Sequence, residues 1–329
     1  MQNLKSTVQS PTPGHIRACD ANSVCFAMLR FGAVCGFMGI AGGVFAPNES
    51  YAIDSVMAVG QGMGHANRAN PFDGGSVYSA PAMVWIDGRF DISGGGRFGS
   101  DENRLFQVSA HDAQTSPFGM GVQWYRLTKD ETPDSEELPG WRKENQTFGN
   151  EVVSSVLAAT IGGGGVHHLF GAALGLRYFT RSSSLAVKEN SFNIAPSIAG
   201  FVQDQLYVSL TVENAIPLGF ADAPLSVGTG SRWQPTEQFA LAFDTLTDFS
   251  SVEGEVRISE MAGAEYRIQG IVPVRIGWKF DGVAENHVAT AGIGAANEDV
   301  SFNYGATMEL GAEGEAQHWH GAHLRVSIR

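Results

Sequence analysis

The feature that most constrains this chain is a period of two. From Val84 to the C-terminus apolar residues alternate with polar or small ones, segment after segment. In "DQLYVSLTVEN", Leu206, Val208, Leu210 and Val212 share one face, and Gln205, Tyr207, Ser209, Thr211 and Glu213 share the other. "IVPVRIGWKF" sets Val272, Val274, Ile276, Trp278 and Phe280 against Pro273, Arg275, Gly277 and Lys279. "VSFNYGATMEL" and "AHLRVSIR" repeat the pattern, the latter with Ala322, Leu324, Val326 and Ile328 opposite His323, Arg325, Ser327 and Arg329. Successive side chains of a strand point to opposite faces, so each segment is a strand with one apolar face.

A soluble sandwich alternates in the same way. Three details favour a transmembrane antiparallel β-barrel instead. Many segments approach ten residues, the spanning length of a tilted strand. Aromatic residues such as Tyr178, Trp278 and Phe280 sit near the ends of apolar faces, as in an interfacial girdle. The opposite faces carry Arg177, Gln205, Glu213, Arg275 and Lys279, which suits a wet lumen better than a dry core. Composition agrees: only 17% of residues are charged, against about a quarter in an ordinary soluble protein.

Strands are expected near 84–97, 104–112, 118–128, 151–161, 167–180, 192–203, 205–214, 225–233, 238–247, 252–258, 262–269, 271–281, 287–294, 300–310 and 318–329. A bacterial barrel closes with an even number of strands. Merging 252–258 and 262–269 into one bulged strand gives about fourteen. Charge and proline gather between strands, most of all from Thr128 to Glu151.

The N-terminus reads as an export signal. Met28 and Arg30 precede an apolar run from Phe31 to Ala46, and Ser50-Tyr51-Ala52 offers the small-x-small pattern for cleavage between Ala52 and Ile53. Met28 is the expected true start. Cys19, Cys25 and Cys35 all precede Ile53, so the mature chain has no disulfide and no cysteine metal site. The domains are then residues 1–52 (signal), 53–83 (an N-terminal segment) and 84–329 (barrel).

Chemistry-bearing motifs are few. The net charge is −13 with no basic block, which argues against a nucleic-acid partner. Gly60, Gly62 and Gly64 in "GQGMGHANRANPFDGGSVYSAPAMVW" resemble a phosphate loop, but Pro71, Gly74 and Gly75 bar the long helix such a loop must open. No cofactor is expected. His318, His320 and His323 in "HWHGAH" do not form a metal site, because His323 faces away from the other two on a strand. Asp244 and Asp248 share a strand face but also fit a lumenal position. No Gly-x-Ser-x-Gly elbow supports a Ser-His-Asp centre. No catalytic residue is assigned, and the chain is not read as an enzyme.

The order of segments resembles the FadL/PorV-like outer-membrane barrels. "GQGMGHANRANPFDGGSVYSAPAMV" stands where that family has a glycine-rich stretch followed by Asn-Pro-Ala, with Ala80-Pro81-Ala82 in the last position and Ala80 in place of the asparagine. "LYVSLTVENAI", "FALAFDTLTDFS" and "GAEYRIQGIVPVRIGWKF" are similar to its later strands; the chain ends on Arg329 where an aromatic residue is usual. The resemblance implies fourteen strands and an N-terminal segment folded inside the lumen as a plug. Gly60, Gly62, Gly64, Ala66, Ala80, Pro81 and Ala82 would be its packing residues, since glycine permits close backbone approach. It also implies an outer-membrane location, membrane lipid as the surrounding partner, and passive uptake of a hydrophobic small-molecule ligand. Two alternatives are a PorV-type non-conducting partner of secretion-system proteins and a soluble secreted β-protein.

Overall fold

The computed structural model describes residues 57–72, 74–99, 104–130, 151–165, 169–183, 189–202, 205–216, 225–252, 255–297, 299–310 and 318–328. The signal segment, the Ala52–Ile53 cleavage point and His167-His168 lie outside these residues. Among the described residues three short helices precede the strands: α1 (Ala58–Gly62), α2 (Ser76–Ser79) and α3 (Met83–Asp87). Fourteen strands follow: β1 (Phe90–Gly99), β2 (Arg104–Asp112), β3 (Gly119–Asp130), β4 (Glu151–Gly165), β5 (Phe170–Ser183), β6 (Glu189–Val202), β7 (Leu206–Glu213), β8 (Ser226–Thr236), β9 (Phe239–Val252), β10 (Glu255–Ile268), β11 (Val272–Asp281), β12 (Asn286–Ala296), β13 (Val300–Leu310) and β14 (His318–Ile328).

Each strand pairs antiparallel with its sequence neighbours, and β1 pairs with β14 from Phe90↔Ile328 to Gly99↔Trp319, closing the barrel. Closure matters physically: a sheet edge in lipid would leave backbone amides and carbonyls unpaired, at several kcal/mol each. The anticipated merger holds. β10 is continuous, with an irregular register to β9 between Glu255 and Arg257.

The alternation divides outside from inside. Leu210, Ile276, Phe302 and Leu324 project outward and are exposed, while Ser209, Thr211, Arg275, Asn303 and Arg325 project inward and are buried. Trp233 and Tyr266 face outward near one end of the barrel. The β10–β11 turn shows how local sequence sets register. Gln269 and Gly270 both have positive φ (54° and 73°), the conformation of a two-residue hairpin turn whose twist matches its strands. Ile271 N–H donates to the Ile268 carbonyl at 3.1 Å to close it. The ladder is shortest between β6 and β7, where it runs only from Ser197↔Thr211 to Val202↔Leu206. It stops beside Pro196, which has no amide hydrogen to give.

Two expectations are corrected. The first strand begins at Phe90, not Val84: residues 83–87 form α3, which ends at Gly88 in a left-handed conformation (φ 65°) suited to glycine. Val84 and Ile86 alternate only because a five-residue helix is too short to display its own period and α3 is buried on most sides. Gln205 does not line the lumen; it is exposed in the turn before β7, accepting from the Gln234 amide at 2.7 Å.

Candidate functional site: the lumen and its inner segment

The described residues between 57 and 87 are almost entirely buried, although they belong to no strand. Their contacts are with inward-facing residues on opposite sides of the closed barrel, which places the segment in the lumen. α1 packs on β11, β12, β13 and β14, while α2 and α3 pack on β3, β4, β5 and β6.

Glycine makes the first contact zone possible. Gly64 has φ 66°, and a Cβ there would lie 2.5 Å from the Trp278 amide nitrogen. On the wall, Gly263 and Gly277 are direct cross-strand partners. A Cβ on Gly277 would lie 2.6 Å from the Gly64 Cα, and one on Gly263 would lie 2.7 Å from the Met63 carbonyl carbon. Segment backbone therefore rests directly on wall backbone. The Gly64 N–H donates to Thr290 Oγ1 at 2.9 Å, and Gln61 Nε2 donates to the Trp319 carbonyl at 3.3 Å.

The second zone is apolar. Val77, Tyr78 and Val84 pack against the inward Tyr125, Val156 and Ala158. Met63 and Ala66 meet Ala242, Leu246 and Met261. Ala80, Ala82, Met83 and Ile86 gather around Ala199, with Phe201 and Tyr207 at the margin.

The third element is a buried ionic latch centred on Glu213 of β7. Its carboxylate takes Arg68 Nη1 of the segment at 2.5 Å and Arg177 Nη1 of β5 at 3.1 Å. Arg68 Nη1 also donates to the Ser79 carbonyl at 3.1 Å, and the Arg68 amide donates to Asp244 Oδ2 at 2.7 Å. Arg177 Nη2 donates to the Tyr78 carbonyl at 2.6 Å, and its guanidinium lies 3.9 Å from the centre of the Tyr78 ring. Gly228 and Gly230 leave the space that Arg68 fills. Burial pushes the Tyr78 phenol above its usual pKa, with the neighbouring Arg177 opposing, so it stays neutral.

A separate cluster joins the end of the segment to the barrel. His111 Nε2 lies 2.8 Å from Asp87 Oδ2 and 3.6 Å from Asp91 Oδ2. These three could in principle ligate a metal. Arg89 (3.7 Å from Asp87) and Arg325 (3.4 Å from Asp91) already supply two positive charges to the two carboxylates. The residues therefore fit a protein-only ionic cluster.

The residues singled out from the sequence fall into two contact zones. Gly60 and Gly62 lie in α1, Gly64 in the turn after it, and Ala66 beyond, all buried. Ala80 ends α2, and Pro81 and Ala82 lead into α3. The Ala82 N–H points at Ser197 Oγ (3.4 Å), and Pro81 fills the space left by Gly175. The structure does not bring the two groups together; it sets them against different parts of the wall. His318 and His320 face outward, with His320 Nδ1 2.6 Å from the Tyr304 hydroxyl, while His323 points inward. Sequence reasoning passed over Arg68. Its one available signal was its being the sole cation between Gly60 and Asp87.

No protein-family model and no curated protein matches the sequence. Solved structures match the fold. The Ralstonia pickettii toluene transporter TbuX aligns with a TM-score of 0.64 at 11% identity, covering 85% of this chain and 99% of that one. The CymD monoaromatic hydrocarbon channel aligns at 0.62 and 12% identity, with the same coverages. A Pseudomonas aeruginosa FadL homologue aligns at 0.58 and 10% identity, covering 83% and 97%. The molecule is a closed fourteen-strand barrel of the transmembrane class, with an apolar exterior and an occupied lumen. Within that class its fold is that of the FadL-like hydrocarbon transporters.

Proposed function

We propose that this chain is an outer-membrane channel for passive uptake of hydrophobic small molecules, with residues 57–87 acting as its plug. The observation that carries the reading is the lumenal segment, held by backbone contact, apolar packing and the Glu213 latch. A general porin keeps its polar lumen open to water and ions. Here the inward Arg177, Glu213 and Asp244 are engaged by the segment, which fills the lumen between them, so passage requires the segment to shift. The fold shared with a toluene transporter and a monoaromatic hydrocarbon channel supports a hydrophobic cargo. Both barrel termini lie at one end; the two largest sequence gaps between strands, after β3 and after β7, open from the strand ends at the other. That asymmetry matches periplasmic turns and extracellular loops.

The test is uptake by Gram-negative cells whose own hydrophobic-uptake barrels are deleted. Expression of this chain should accelerate entry of a labelled neutral aromatic such as toluene and leave entry of a small sugar unchanged. Faster sugar entry, or no effect on the aromatic, would overturn the reading.

A further inference from the structure

The lumen holds a second ionic cluster that the latch does not use. Glu265 of β10 receives three guanidinium groups: Arg275 Nε at 2.7 Å, Arg267 Nε at 3.0 Å and Arg232 Nη2 at 3.2 Å. Arg275 stands directly across the ladder from Glu265. Arg232 comes from β8 and must cross β9 to arrive. It does so over Ala240 and Ala242, the strand partners of Glu265 and Arg232, whose short side chains leave the way open. Arginine does not give up its proton in proteins, so three positive charges share one carboxylate.

Two further observations show donors turned toward an anion-binding role. Arg232 is 1% exposed, yet its Nε and Nη1 have no hydrogen-bond partner. Buried donors left unpaired are costly and uncommon. Arg275 Nη1 donates to Asn303 Oδ1 at 2.9 Å, and across the ladder from Asn303 stands His323, buried, with neither ring nitrogen partnered. The cluster also has a route to water. The Arg267 side chain is 29% exposed, close to the short β10–β11 turn. The unpartnered Nε and Nη1 of Arg232 can each donate a charge-assisted hydrogen bond to an oxyanion oxygen.

We propose that Arg232, Arg267 and Arg275 form an oxyanion site at the short-turn end of the lumen, binding a carboxylate or phosphate group. The site stands on its own charges and does not depend on the uptake reading. Two sources share this chemistry: a free inorganic anion, or the head group of an amphiphile lodged in the lumen.

Isothermal titration of the detergent-solubilised full chain, at constant ionic strength, tests it. Probes are inorganic phosphate, hexanoate and decanoate. Wild type should bind at least one saturably, and Arg232→Gln should weaken that binding at least tenfold. Glu265→Gln should tighten it at least threefold, because Glu265 competes with the ligand for the same guanidinium groups. A gain of affinity cannot come from misfolding. Arg232→Gln also reports partition of decanoate into micelles, which does not need the arginine. Phosphate binding as tightly as decanoate or better assigns the site to a free anion, and decanoate binding at least tenfold tighter than both others assigns it to an amphiphile; either supports the site. No saturable binding of any probe, or equal affinity in Arg232→Gln, would overturn it.

Discussion

Replacing Glu213 by glutamine should loosen the inner segment without harming the barrel. In the native protein the Glu213 carboxylate neutralises Arg68 of the segment and Arg177 of the wall. Glutamine keeps the shape and one acceptor oxygen but removes the charge. Removing one partner of a buried pair costs about 3–5 kcal/mol, because the surviving charge is left uncompensated. Arg68 leaves with the segment, and Arg177 stays on β5 but is uncovered when Tyr78 departs, so both guanidinium groups reach water in the unseated state. The retained acceptor offsets part of the loss, so the lower figure applies to the balance between seated and unseated segment. About 3 kcal/mol is a little over two factors of ten. Hydrogen exchange reads such local opening directly. The amides of Arg68, Ser79 and Ala80, all hydrogen-bonded in the seated segment, should exchange about a hundredfold faster in Glu213→Gln. Amides in the β12–β13 ladder should not change. Less than a threefold acceleration, with those ladder amides still protected, would show that the latch does not hold the segment.

Other expectations follow from the same geometry. Ile276 is 64% exposed on the outer face near the middle of β11, so Ile276→Arg should cost roughly 2–4 kcal/mol if that face meets lipid; a heat-modifiability gel should show lost barrel stability. Gly277→Ala places a methyl against the Gly64 backbone, so residues 60–66 should become sensitive to limited proteolysis while β11 stays paired. Thr211→Arg should also displace the segment, because Thr211 is 1% exposed and bonded to Ser197 Oγ at 3.0 Å, beside the Ala82 amide; intact protection of residues 80–87 would contradict that.

Much of the fold is legible in the sequence because period-two alternation is a local signal. Leu210 out and Thr211 in can be read from neighbours alone. The same rule misled at Val84, where a buried short helix imitates a strand, and at Gln205, where alternation runs on into a turn. Gly62 and Gly64 can be singled out in the sequence as residues that permit close approach. The wall glycines Gly263 and Gly277 cannot, because the pairing that sets them opposite Met63 and Gly64 exists only once β10 and β11 are in register. The charged partners were hidden most completely. Arg177 and Glu213 suggest a water-filled lumen when read along their strands. They turn out dry because Arg68 and Tyr78, 145 and 99 residues away respectively, fold back onto them. The three arginines around Glu265 come from three strands, and Arg232 reaches it only because the side chains of Ala240 and Ala242 on β9 are short.

The most direct test of the account is the ion conductance of the barrel in a planar bilayer, with and without residues 57–80. Deletion removes no strand and uncovers Arg177, Glu213, Arg275 and Lys279 along the inner wall. The intact chain should be nearly silent, and the deleted chain should show stable porin-like steps. An intact chain that already conducts as an open pore, or a deleted chain that folds and remains silent, would contradict it.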